Sequence, residues 1–127
     1  MPKSTYLDNN LINVGLRQIP FTPPATIYVA LYTVAPTAGG GGTEVSGGAY
    51  GRQTVAFSAP TSGMSTNTAD INFPIATVAW GTIVAFALLD ASSGGNLLYF
   101  GNLSTPRTIN VNDQPRFPAG QLVVTEV

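Results

Sequence analysis

The chain has 127 residues, enough for one domain with a core of its own, and hydrophobic residues make up 44% of it. Charged residues make up only 9%, against about 25% in an average soluble protein, and five basic and six acidic side chains leave a net charge of −1. That balance excludes an electrostatic footprint for nucleic acid or an anionic membrane, and it leaves little repulsion between copies, which favours association.

Residues 4–19, STYLDNNLINVGLRQI, carry helical periodicity, with Leu7, Leu11 and Val14 in a stripe that Ile12, Leu16 and Ile19 broaden. Ser4 is placed to cap the first turn. Asp8 lies near the positive end of the helix dipole, Arg17 near the negative end, and Pro20 stops the run. An amphipathic helix of this kind is expected to pack on something. The connector FTPPAT follows, extended because a residue before proline is pushed out of helical space. Residues 26–33, TIYVALYT, alternate with apolar side chains on both faces and predict a strand covered on both sides.

A glycine-rich loop, residues 36–50, comes next; seven glycines fall within the seventeen positions 36–52. It is expected to be a mobile connection, long enough to lie over the domain surface or to reach a neighbour. Strands are predicted at residues 50–57 and 68–73, the latter ended by Pro74, which cannot donate into a ladder. A short piece at 76–79 leads through Trp80-Gly81 into residues 82–89, TIVAFALL, apolar on both faces and read as a central strand. DASSGGN is a turn by composition, and strands are predicted at 97–103, 107–111, 114–117 and 121–127, with turns at Asn112-Asp113 and residues 118–120. About eight short extended segments without helical crossovers point to an antiparallel sandwich or barrel.

Candidate chemistry is sparse. A Walker A loop needs a Gly-Lys-Ser/Thr ending, but the only lysine is Lys3, and no G-x-G-x-x-G occurs. Histidine and cysteine are absent, which excludes Ser-His-Asp and Cys-His nucleophiles, disulfides and thiolate metal sites. The carboxylates Asp8, Glu44, Asp70, Asp90, Asp113 and Glu126 are the remaining inventory. Two of them flanking a glycosidic bond would suffice for a hydrolase, yet helix-end and turn chemistry accounts for Asp8, Asp90 and Asp113, and Glu44 lies in the glycine loop. Residues 90–96 resemble an oxygen-rich calcium loop but carry a single carboxylate. No catalytic, cofactor-binding or metal-binding residue is therefore assigned. The interface candidates are Tyr50, Arg52 and Trp80, because aromatic residues and arginine dominate binding energy where they are desolvated; for Trp80 a place in or beside the core is the alternative.

YVALYT, PT followed by GGGGTEVSGGAYGRQ, TNTADINFP, WGTI, the GGNLLYFG segment and TPRTIN with RFPAGQL occur in an order that resembles a group of small tailed-bacteriophage virion proteins. Members carry the labels of tail-fibre protein or head decoration (cement) protein. The resemblance spans residues 6–125 and implies an all-β antiparallel sandwich of jelly-roll type with one N-terminal α-helix. On this reading residues 1–127 form one sandwich domain, with residues 1–20 as a helical arm. It further implies a homo-oligomer, most often a trimer, on the capsid exterior, where it binds the major capsid protein between capsomers and stabilises the head. The alternative is a tail-fibre or receptor-binding module. Neither reading involves catalysis, a cofactor, nucleic acid, a membrane or a small-molecule substrate.

Overall fold

A computed structural model describes residues 1–126. Helix α1 spans Thr5–Leu16, and strands β1 (Ile27–Val34), β2 (Thr43–Glu44), β3 (Gln53–Val55), β4 (Met64–Thr66) and β5 (Ile71–Asn72) follow. Then come β6 (Gly81–Leu89), β7 (Leu97–Ile109), β8 (Arg116–Phe117) and β9 (Val123–Thr125). All pairings are antiparallel. The fold is thus all-β with one N-terminal helix. The last predicted strand begins at Val123 instead of residue 121, and its end at Val127 lies outside the described residues.

The two segments with apolar residues on both faces form the centre, as their patterns require. β1 and β6 pair along Tyr28↔Leu89 to Tyr32↔Ala85, and β7 flanks β6. On the other edge of β1 the short β3 and β2 lie end to end, β3 beside Ile27 to Val29 and β2 beside Tyr32 and Val34. One face of this sheet presents Val29, Leu31, Ile83, Phe86 and Leu88 to the main core, where Ile71, Phe73, Trp80 and Leu122 meet them. The opposite face carries Ala30, Ala85 and Ala87, shielded by Tyr32, Leu89, Leu97 and Phe100.

Residues predicted as separate strands at 97–103 and 107–111 form the single strand β7. Its register explains the misreading. Ile83 pairs with Arg107 but Ala85 with Asn102, so Val84 alone faces the four residues 103–106. This bulge takes Pro106, whose missing N–H would be costly inside a regular ladder. It also shifts the alternation of β6: Ile83 points into the main core, whereas Val84 and Ala85 both join the opposite face.

The second layer consists of two ribbons, β4–β9 and β5–β8. The strands predicted at 50–57 and 68–73 shrink to the three residues of β3 and the two of β5, and the short piece at 76–79 is not part of a strand. Asn67 holds the ribbons together. Its buried side chain donates to the carbonyls of Ala69 (2.9 Å) and Pro118 (3.0 Å) and accepts from the Leu122 amide (2.9 Å), so each polar atom is satisfied.

Candidate functional site

The structure brings Tyr50 and Trp80 into contact and ties Arg52 to the same network. The Tyr50 ring lies parallel to Phe73 at 6.2 Å and edge-on to Trp80 at 5.4 Å. Its hydroxyl donates to Glu44 Oε2 at 2.6 Å and accepts from the Leu31 amide at 3.0 Å. Arg52 forms a two-pronged pair with Glu44, both contacts at 2.9 Å, and its remaining nitrogen, Nη1, donates to the Ala91 and Gly94 carbonyls at 2.8 Å. Its side chain is only 8% exposed. Trp80 Nε1 donates to the Gly48 carbonyl at 2.9 Å, and the ring belongs to the main core. All three interface candidates thus have intramolecular partners.

These bonds correct the expectation of a mobile loop. Residues 36–50 contain a tight turn, Thr37 to Gly40, closed by two backbone bonds of 2.9 Å. The short strand β2 follows, then the buried Val45, whose amide donates to the Leu31 carbonyl at 3.0 Å. Glycine serves close approach here and not flexibility. At Gly48, with φ +60°, a Cβ would lie 2.6 Å from Val78 Cγ2 and 2.8 Å from the indole nitrogen of Trp80. Burial alone would raise the Glu44 carboxyl, but the hydrogen bonds from Arg52 and Tyr50 and the guanidinium charge hold it below its ordinary range. Burial, reinforced by the carboxylate, pushes the Tyr50 phenol well above its own. The network clamps the glycine loop to the 90–96 turn. Asp90 closes that turn by accepting from the Asn96 amide at 2.6 Å.

The N-terminal arm divides in two. Residues 1–4 dock along β7: Lys3 bridges Tyr99, the Ser4 amide donates to the Leu98 carbonyl at 2.8 Å, and the Phe100 amide donates to the Pro2 carbonyl at 3.1 Å. Lys3 also pairs with Glu126, which accepts from the Tyr99 hydroxyl at 2.5 Å. Ser4 is buried and caps α1 as its sequence position predicts, its hydroxyl accepting from the Leu7 amide at 3.1 Å. The helix then leaves the core behind. It ends at Leu16, short of the predicted Ile19, because Gln18 adopts φ 56° and turns the Ile19 amide back to the Asn13 carbonyl. Within α1 only Leu7 is buried. Leu11, Ile12, Val14, Leu16 and the following Ile19 are 37–77% exposed, so the stripe expected to pack on the domain is largely uncovered.

At 100° per residue Leu7, Leu11 and Val14 share one side of the helix, while Ile12 and Leu16 lie roughly opposite. A helix with two apolar sides cannot bury both against one domain. That signal was present in the sequence. The role of Glu44 was not: a carboxylate inside a glycine run looks solvated until Arg52 is folded onto it. The other carboxylates have local partners: Asp113 accepts from the Asn110 amide at 2.8 Å, Asp70 from the Ala119 amide at 2.8 Å, and Asp8 lies 3.9 Å from Lys3. Among the described residues no group of three or more Asp and Glu side chains could hold a metal ion. Among the described residues no helix is long and apolar enough to cross a membrane.

Residues 2–125 match the family model described as podophage GP4 fiber I protein gp80. A comparison with curated proteins finds no match.

Proposed function

Because the chain belongs to the podophage GP4 fiber I protein gp80 family, a family of phage virion proteins, we propose that it is a structural fibre subunit which binds sister copies through α1. The observation that carries this is the uncovered apolar surface of α1, Leu11, Ile12, Val14 and Leu16, continued by Ile19. A twelve-residue helix is marginal in water by itself, and this one is tied to its domain by a cap, by Leu7 and by few further contacts. Cover from outside stabilises it. Sister copies suit the role because the surface offers no strong charge for a partner of opposite sign, and a net charge of −1 per chain hardly opposes association.

The assembly we propose is a closed ring of copies, a homotrimer at its smallest. Cyclic closure uses two different patches per copy, whereas a two-fold dimer uses one patch twice. The two apolar sides of α1 supply two patches. The remainder of the subunit is a rigid body suited to repetition: its glycine loop is clamped, and all six acidic side chains have partners within the chain.

The family's description as a fibre weighs toward the tail and against a clamp between capsomers of the head. A reconstruction of the virion tests the reading. Density for this fold confined to tail appendages, with α1 at the contact between copies, is the expected result; density at capsomer junctions of the head would overturn it.

A further inference from the structure

We infer that the cleft between the β7 bulge and the β8 loop is a binding site for an acidic saccharide, with the Arg107 guanidinium taking the sugar carboxylate. The cleft has a volume of about 650 Å³, within the range of roughly 300–1,000 Å³ typical of ligand sites. Leu103, Ser104 and Thr105 of the bulge line one side of it and residues 113–117 the other.

Its lining is of two kinds. Leu31, Ile83 and Ile109, all buried members of the main core, form an apolar floor. Around them stand the hydroxyl residues Ser104 and Thr105, the amide of Gln121 and the amide oxygen of Gln114, whose nitrogen donates to the Phe73 carbonyl at 2.9 Å. An apolar floor with a hydroxyl and amide rim matches a sugar ring, which presents C–H groups on its face and hydroxyls around its edge.

Charge makes the class acidic. Arg107 and Arg116 both line the cleft, in a chain that has only four arginines. Arg116 is 3.6 Å from Asp70, and the one carboxylate in the lining, Asp113, is turned toward the Asn110 amide. Among the described residues the Arg107 guanidinium has neither a hydrogen-bond nor an ion-pair partner, unlike that of Arg52. A planar five-donor fork beside hydroxyl-binding groups suits a carboxylate held in bidentate fashion. No residue of α1 lines the cleft, so a copy docked on that helix as proposed above need not touch it.

The test is a calorimetric or NMR titration of the full chain with a uronic-acid oligosaccharide and with a neutral oligosaccharide of the same linkage. The acidic sugar is expected to bind at least about tenfold more tightly than the neutral one, and added salt to narrow the gap. Arg107→Ala should lose about tenfold or more for the acidic sugar and nothing for the neutral one, with Arg107→Lys recovering part. The exposed, unpartnered side chain makes this variant safe for folding, which an unchanged melting curve verifies. Equal binding of both sugars, no binding of either, or indifference to Arg107→Ala overturns the proposal. So does a glutamate oligopeptide that binds as tightly as the acidic sugar.

Discussion

The glycine loop and helix α1 exchange the roles that their compositions suggest. Seven glycines in seventeen positions look like slack, and an amphipathic helix looks like a core element. In the fold the loop is fixed by a part-buried ion pair, a tyrosine hydroxyl and an indole N–H, whereas the helix buries Leu7 alone of its side chains. The difference teaches that rigidity follows from where polar groups find partners and apolar groups find cover. Local flexibility of the backbone is a separate matter: positive-φ glycines such as Gly48 let the chain approach Trp80 more closely than any side chain would permit.

The sharpest way to break the clamp is Trp80→Ala. It removes a core ring, the bond to Gly48 and the edge contact with Tyr50, and should cost about 3–5 kcal/mol in urea unfolding. Arg52→Ala comes next, at about 2–3 kcal/mol by the same measurement, because Glu44 is left part-buried without its cation and two carbonyls lose a donor. A change of less than 0.5 kcal/mol would mean that the loop is held by other contacts.

Glu44→Gln has a smaller effect, and it depends on pH. The folded carboxyl is held below 4.5, so its stabilisation is complete above the unfolded value and is lost as the pH falls through the folded one. The variant should therefore be less stable than the wild type at about pH 7, and the gap should close as the pH falls below 4.5 and through the lowered folded value. A gap that widened on acidification would contradict the network. The smallest effect belongs to the helix. Leu16→Ser, measured on dilute protein, should change stability by no more than about 0.5 kcal/mol, because this side chain covers nothing in its own subunit.

Much of the central sheet was legible before folding, for a physical reason. β1 and β6 carry apolar residues on both faces, and a strand of that kind belongs between neighbours. The ribbons were not, because strands of two or three residues depend on distant partners such as Asn67 and not on local pattern. Strand β7 was split by Pro106, since a proline reads as a break and only the partner strand reveals a bulge. Of the candidate site, Tyr50, Arg52 and Trp80 were identified, and folding gave them intramolecular partners. What the sequence concealed was Glu44, which links Arg52 to Tyr50, and Arg107, whose lack of a partner is visible only in three dimensions.

Sedimentation equilibrium of the wild type beside the double variant Ile12→Ser/Leu16→Ser tests the central claim most directly. The wild type should sediment as a closed oligomer, three times 13.2 kDa for a trimer, and the variant as a folded species of 13.2 kDa. A wild type that remains at 13.2 kDa at the highest attainable concentration, or a variant that still assembles, would contradict it.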